Sequence, residues 1–463
     1  MARGPKSHPE TGETETGDTA TETETETEKA GGGPPRWPVP LPLHLGLTNL
    51  ILASSCAAWP LARNGSIDWK PACRSDAAEL LPLLRACPPE LLGPAVLEAA
   101  CARLSQVQSG IERYAADPPA RPAPPGPMVW QAGTTRIYDG APHLAGRGGP
   151  HVLLVPSLIN RAHILALGDG HGLVGHLAAA GIRPLLLDWD RPGPAEGGFG
   201  IADYVEERVR PALRFAAAQA AQVQAAQVPA RRRSAPPARP VVLGYCMGGL
   251  LTLAALLGAQ ADGEAEGLAS GLALVATPWD FGADPLFSAV GALMLAQEAS
   301  MRRWIRSAGG LPPEFLQALF VMRDPALPLR KFSGFAGLPA GSAAAGDFLD
   351  LEGWANDGVP LAGPAAEECL FDWFGRNAPA TDAWQIRGQV MRPEALTLPV
   401  FAAIAGRDRL VPPVSAEALV GRLAQAVTIR VPGGHVGMVA GRGARTGLWQ
   451  PLAEWVLACC SAA

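Results

Sequence analysis

The sequence predicts an α/β protein built on a mostly parallel sheet, and three observations carry that expectation. Short runs rich in Val, Leu and Ile recur at 151–155, 183–188, 241–245, 271–277, 399–406 and 427–431. Helical stretches at 172–180, 203–226 and 247–257 separate the first four, and another at 446–459 closes the chain. Strands that are apolar along their whole length are covered on both faces, as in sheets whose crossovers are helices. The alternation stops between about 283 and 395, where helical segments at 286–300, 314–322 and 365–376 come with Trp304, Trp354, Trp373 and Trp384. That stretch reads as a helical insertion covering the sheet edge.

A chain of 463 residues with 48% hydrophobic content can bury one large core with additions, or two to three domains. Its formal net charge is −5 and no basic patch stands out, so no nucleic acid partner is expected. The eight cysteines form no C-x-x-C pair and have no histidine at metal spacing. Neither a metal site nor a disulfide framework is therefore expected, and a reducing cytoplasm fits. The polar, acidic start lacks the basic-then-apolar pattern of a secretory signal.

Residues 1–36 include a Thr-Glu alternation at 21–28 and read as a disordered acidic tail, since so polar a segment cannot offset its ordering entropy. The apolar run at 41–60 approaches the length of a membrane span, but His44, Asn49 and flanking prolines interrupt it. A helix packed on the body, or lying on an apolar surface, is the expectation. Helical spacing continues through 77–116, and the proline-rich 118–127 reads as a linker. The expected organisation is a tail at 1–36 and a helical extension with linker at 37–127. A core at 128–282, beginning with a hairpin at 129–138, is then interrupted by a cap insertion at 283–395 and resumes at 396–463.

The chemistry centres on a turn. The apolar run from Val241 reaches Gly244, Cys246 stands between Gly244 and Gly248, and helical composition follows. Strand, tight turn and helix with small residues two positions either side of the nucleophile make a nucleophile elbow. Alone, the motif also fits a buried structural cysteine. A thiol nucleophile needs a base, and the base an orienting group. His435 is the one histidine after His176, and it follows the 427–431 strand. Asp408 follows the strand ending at Gly406. The order Cys246, Asp408, His435, each at the C-terminal end of a strand, is that of the α/β-hydrolase fold. Asp280 also ends a strand, but Asp408 has the better orienting position. For an oxyanion hole, the backbone N–H of Met247 is the first candidate, and the second comes from Ser157 or Leu158. Ser157 has no elbow of its own and reads as a loop hydroxyl beside the pocket.

At these residues the sequence resembles the polyhydroxyalkanoate synthase family, in particular the catalytic subunit of the two-component class III type. The resemblance rests on Leu-Ile-Asn-Arg at 158–161 with Ile164 and Leu165, Asp188 with Trp189, and Asp-Tyr-Val at 203–205. It continues through 243–249 around Cys246, Thr-Pro-Trp-Asp-Phe at 277–281, 408–413 and 432–437, in collinear order over 128–457. It implies Cys246 as acyl-accepting nucleophile, His435 as base, Asp408 as its partner, and a hydroxyacyl-CoA thioester as substrate. The implied activity is polymerisation of (R)-3-hydroxyacyl units into a polyester with release of coenzyme A and no cofactor. A second copy or a second synthase subunit is the implied partner, in the cytoplasm at the polyester granule. Arg409 departs from the family, which has histidine after the aspartate. The insertion is rich in Gly, Ala and Pro, and residues 1–127 are an addition to a class III-like core. Two other functions stay open: a cysteine hydrolase or thioesterase on the same fold, and a non-catalytic granule-associated protein.

Overall fold

The strands are β1 (Met128–Ala132), β2 (Thr135–Asp139), β3 (His151–Val155), β4 (Arg183–Asp188), β5 (Val241–Tyr245), β6 (Gly271–Val275), β7 (Gln385–Ile386), β8 (Gln389–Val390), β9 (Val400–Ala405) and β10 (Ala426–Val431). The computed structural model describes residues 37–462 apart from 118, 120, 169, 171 and 228–236. The expected acidic tail at 1–36 and part of the 118–127 linker lie outside the described residues. Eight strands form one sheet in the order β1-β2-β4-β3-β5-β6-β9-β10. The β1–β2 and β2–β4 pairs are antiparallel, and every pair from β4 to β10 is parallel. This is the α/β-hydrolase fold, with the elbow strand β5 at mid-sheet.

Side chains of the central strands alternate between two apolar layers, as the two-residue strand period requires. Leu153, Leu185, Val242 and Leu272 enter one layer; Val152, Leu186, Val241 and Ala273 enter the other. Helices α4 (Gly172–Ala179), α5 (Ile201–Tyr204), α6 (Arg210–Gln227), α7 (Met247–Ala261) and α8 (Ala265–Leu268) connect the strands. Helix α7 is buried from Met247 to Ala259, which accounts for its being apolar all round.

The insertion is built from α9 (Pro285–Ala296), α10 (Glu298–Ser307), α11 (Pro313–Arg323), α12 (Leu327–Ala336), α13 (Ala343–Asn356) and α14 (Gly363–Glu367), before the small β7–β8 hairpin. The sequence signals only three helical segments here. Helices α12 and α13 contain Gly334, Gly346 and Gly353, residues that lower helix propensity. Tertiary packing supplies what propensity lacks: Phe335 of α12 stacks on Phe348 of α13 with centroids 4.2 Å apart. Helices α15 (Pro413–Val420), α16 (Gly437–Ala440) and α17 (Gln450–Ala462) complete the core.

Among the described residues, three helices precede the sheet: α1 (Leu41–Asn64), α2 (Arg74–Ala86) and α3 (Pro89–Ala116). Helices α1 and α3 pack on the cap, and α2 packs on α1. Val107, Ile111 and Tyr114 of α3 share a buried cluster with Phe332 and Phe335 of α12. Among the described residues, α1 is the one helix long and apolar enough to cross a membrane by length and composition. Here its His44, Thr48 and Leu52 are buried, whereas Leu50 and Leu61 are 66% and 51% exposed.

Candidate active site

Cys246 sits between β5 and α7 with φ 55° and ψ −122°, a conformation that side-chain-bearing residues hold only when their surroundings enforce it. Enforcement comes from hydrogen bonds on both sides of the residue. The Cys246 N–H donates to the Val275 carbonyl at 2.8 Å, and the Cys246 carbonyl accepts from Gly249 N–H at 3.0 Å. The flanking glycines are required by close approach. A Cβ on Gly244 would lie 2.4 Å from the Gly249 Cα, and one on Gly248 would lie 2.2 Å from the Val155 carbonyl oxygen. The second contact lets the loop after β3, with Ser157 and Leu158, abut the elbow.

The loops after β9 and β10 are stitched together by Gly406 N–H to Val431 O at 2.9 Å and Arg407 N–H to Gly433 O at 2.8 Å. That brings Asp408 to His435. Asp408 Oδ2 accepts from His435 Nδ1 at 2.7 Å, while its Oδ1 accepts from the N–H groups of Leu410 and Val411 at 2.8 and 2.9 Å. With both oxygens held, the carboxylate cannot swing away from the ring. Burial disfavours charge on His435, but Asp408, followed by Cys246 as charge and hydrogen-bond partner, outweighs it and holds this imidazole well above the usual histidine value. Asp280 is otherwise engaged, accepting from Gly282 N–H and Asn377 Nδ2 at 2.9 and 2.8 Å.

Met247 opens α7, and N–H groups in a helix's first turn have no intrahelical acceptor, which makes them donors for developing negative charge. Ser157 is buried, its Oγ has no partner, and it lines the cavity above Cys246. The Leu158 side chain instead enters the apolar core, so only its backbone can serve the site. This loop is fastened by groups whose role sequence reasoning does not assign. Trp189 Nε1 donates to Pro156 O at 3.0 Å, Arg161 Nη1 to Asp190 Oδ1 at 2.7 Å, and Trp354 Nε1, from the cap, to Arg161 O at 2.8 Å. Tyr245 is a further omission. Its ring lies against His435 with centroids 5.2 Å apart, and its hydroxyl donates to the His435 carbonyl at 3.3 Å. Arg161, Trp189 and Tyr245 fall within the motifs that carry the resemblance, so a signal was present; for Trp354, far off in the insertion, none was.

A cavity of about 1030 Å³ lies between core and cap, with Cys246, Met247 and His435 on its wall. Phe281, Phe287, Leu316, Phe320 and Trp373 make much of the rest apolar. A second cysteine, Cys369, also lines it, but burial, then Glu368 and Asp372, push that thiol well above the ordinary value. Arg409 pairs with Asp324 of the cap at 2.5 Å. Its carbonyl accepts from Arg323 Nε at 2.7 Å, and Arg323 also pairs with Asp284 at 2.9 Å. Arg409 thus ties the core to the cap. Among the described residues, no group of three or more His, Cys, Asp or Glu could hold a metal ion.

No protein-family model matches the chain. Curated relatives do. The poly(3-hydroxyalkanoate) polymerase subunit PhaC of Synechocystis is 24% identical over 340 residues, 72% of this chain and 84% of that protein. The chain is a sequence relative of these polymerase subunits. The subunit of Allochromatium vinosum is 23% identical, covering 66% of this chain and 80% of its own length. For that of Haloarcula marismortui the identity is 25%, and the alignment spans 66% of this chain and 60% of the archaeal one. Among solved structures, an esterase from Thermogutta terrifontis is 15% identical with a TM-score of 0.43, covering 70% of this chain and 93% of its own. An esterase from Exiguobacterium antarcticum gives 15%, 0.38, 72% and 99% for the same quantities.

Proposed function

We propose that this chain is an acyltransferase of the polyhydroxyalkanoate synthase type, which polymerises (R)-3-hydroxyacyl-CoA through an acyl-enzyme on Cys246. The observation that carries the proposal is a thiol at a strained elbow, next to a buried His435–Asp408 pair, in a chain whose curated relatives are named polymerase subunits. In the first step Cys246 gives its proton to His435, and the thiolate attacks the thioester carbonyl. The oxyanion forms beside the N–H of Met247, with Ser157 or Leu158 supplying the second backbone donor. Coenzyme A leaves and takes the proton from His435, so one thioester replaces another at little thermodynamic cost. In the second step His435 accepts the proton of the 3-hydroxyl of an incoming hydroxyacyl thioester; the oxygen attacks the acyl-cysteine, an ester forms, and Cys246 is released. The apolar cavity under the cap favours this attack over that of water.

Coenzyme A enters as part of the substrate, and the chemistry needs no cofactor. The relatives' names call them subunits, which supports a second copy or a second subunit as partner. On this reading the chain works in the cytoplasm at the polyester surface. Incubation with 3-hydroxybutyryl-CoA tests the proposal: coenzyme A should be released, an acyl adduct should form on Cys246, and polymer should accumulate. Free hydroxyacid as sole product assigns a thioesterase. Turnover unchanged in Cys246→Ala refutes the thiol mechanism, and no turnover in either protein leaves a non-catalytic granule protein.

A further inference from the structure

The cavity that holds Cys246 is not closed by the hydrolase core and cap alone. Val39, just before α1, and His44 and Leu47 in its first turns line it together with Lys331 of α12 and Phe348 and Glu352 of α13. This end of α1 is anchored. Val39 N–H donates to Asn356 Oδ1 at 2.7 Å, the His44 ring meets Phe332 edge-on with centroids 6.0 Å apart, and Leu41 and Leu45 pack into the cluster around Phe332 and Phe335. His44 is buried in this wall and Leu47 is half-buried, whereas Leu50, further along the same helix, is 66% exposed. The polar groups on this wall are largely engaged with one another: Lys331 pairs with Glu352 at 2.5 Å, and His44 Nε2 lies 3.2 Å from the Val39 carbonyl. What the wall offers an occupant is mainly apolar surface.

We infer that α1 is a wall of the acyl site, and that Leu47 limits the length of the aliphatic side chain accepted on the 3-hydroxyacyl unit. The inference rests on the acyltransferase reading of the site and names its substrate class as 3-hydroxyacyl thioesters with side chains longer than methyl. A cavity of about 1030 Å³ has far more room than a four-carbon unit uses. Each further methylene buried in it strengthens binding about fourfold. The amino-terminal extension, attached to the cap and not to the sheet, thus becomes a specificity element.

The test compares the full chain with Leu47→Trp, Leu47→Ala and, as a control on the exposed face, Leu50→Ala. The first readout is the ratio of kcat/KM for coenzyme A release from 3-hydroxyoctanoyl-CoA to that from 3-hydroxybutyryl-CoA. The second, independent of turnover, is binding of octan-1-ol by calorimetry, with butan-1-ol as reference. Leu47→Trp should lower the ratio and weaken octanol binding at least tenfold, enough to displace about two methylenes. Leu47→Ala should raise the ratio, and Leu50→Ala should leave both readouts where they are. Equal effects on both thioesters, an unchanged ratio, or octanol binding indifferent to Leu47 would overturn the inference. If the wild-type chain releases coenzyme A from neither thioester, the acyltransferase reading fails, and the octanol titration still decides whether Leu47 is part of the wall.

Discussion

Replacing Asp408 by Asn isolates what the carboxylate does for His435. The amide side chain keeps an oxygen where Oδ1 now accepts from Leu410 and Val411. It puts an N–H₂ group where Oδ2 accepts from His435 Nδ1 at 2.7 Å. Two donors cannot face each other, so the imidazole must shed its Nδ1 proton and carry one on Nε2, the nitrogen that should receive the proton of Cys246. The wrong tautomer in a Ser-His-Asp triad costs about 10⁴-fold in kcat, and loss of general base catalysis costs about 10²–10⁴-fold. A thiol is more acidic than a hydroxyl, so a loss of about 10²–10³-fold is expected here. The fold should survive: a hydrogen bond to a charged group contributes about 1.5–3 kcal/mol, which for a chain of this size lowers Tm by only a few degrees. Stopped-flow detection of free coenzyme A, with intact mass of the acylated chain, measures the rate; thermal unfolding checks the fold. His435→Gln should be similarly slow, and the double variant little slower than either, because the two residues act as a unit. If Asp408→Asn acylates within fivefold of the wild-type rate, the base role of His435 is wrong.

Gly248→Ala should destabilise by about 3 kcal/mol or more, since its Cβ meets the backbone carbonyl of Val155 at 2.2 Å and neither partner is a flexible side chain; an unchanged urea midpoint would contradict the close approach. His44 and His151 are lowered to about 4, by burial first and then by Lys331 and Arg183 respectively. The unfolded chain takes up these protons near pH 6.5 and the folded one only near 4, so stability is complete above 6.5 and falls between 6.5 and 4. His151→Gln should flatten that fall by roughly 2–3 kcal/mol in urea titrations at several pH values. Arg323→Ala removes the pair with Asp284 and the hydrogen bond to the Arg409 carbonyl. Looser closure should raise the proportion of free hydroxyacid to polymer in the product, and an unchanged proportion would mean the contact does not keep water out.

Legibility in the sequence followed the range of the interactions. Fully buried strands such as β3 and β5 announce themselves as unbroken apolar runs, because a parallel sheet with helices on both faces leaves no polar side. The elbow was legible because its geometry admits only small residues at 244 and 248, where a Cβ would meet backbone. Helices α12 and α13 were not legible: their glycines hide a pattern that becomes helical only with Phe332, Phe335 and Phe348 packed together. Trp354 could not be linked to Arg161 for the same reason, since the two lie 193 residues apart.

By itself, then, the sequence determined the alternation of apolar strands and helices and the candidates Cys246, Asp408 and His435 in that chain order, since local conformation and burial write those features into neighbouring residues. Only the tertiary structure decided that Asp408 and not Asp280 faces His435. It also decided that Arg409 belongs to a cap-to-core contact, and that the first turns of α1 reach the cavity of Cys246. Each of these depends on which distant segments touch, and a contact between distant segments leaves no period in either of them.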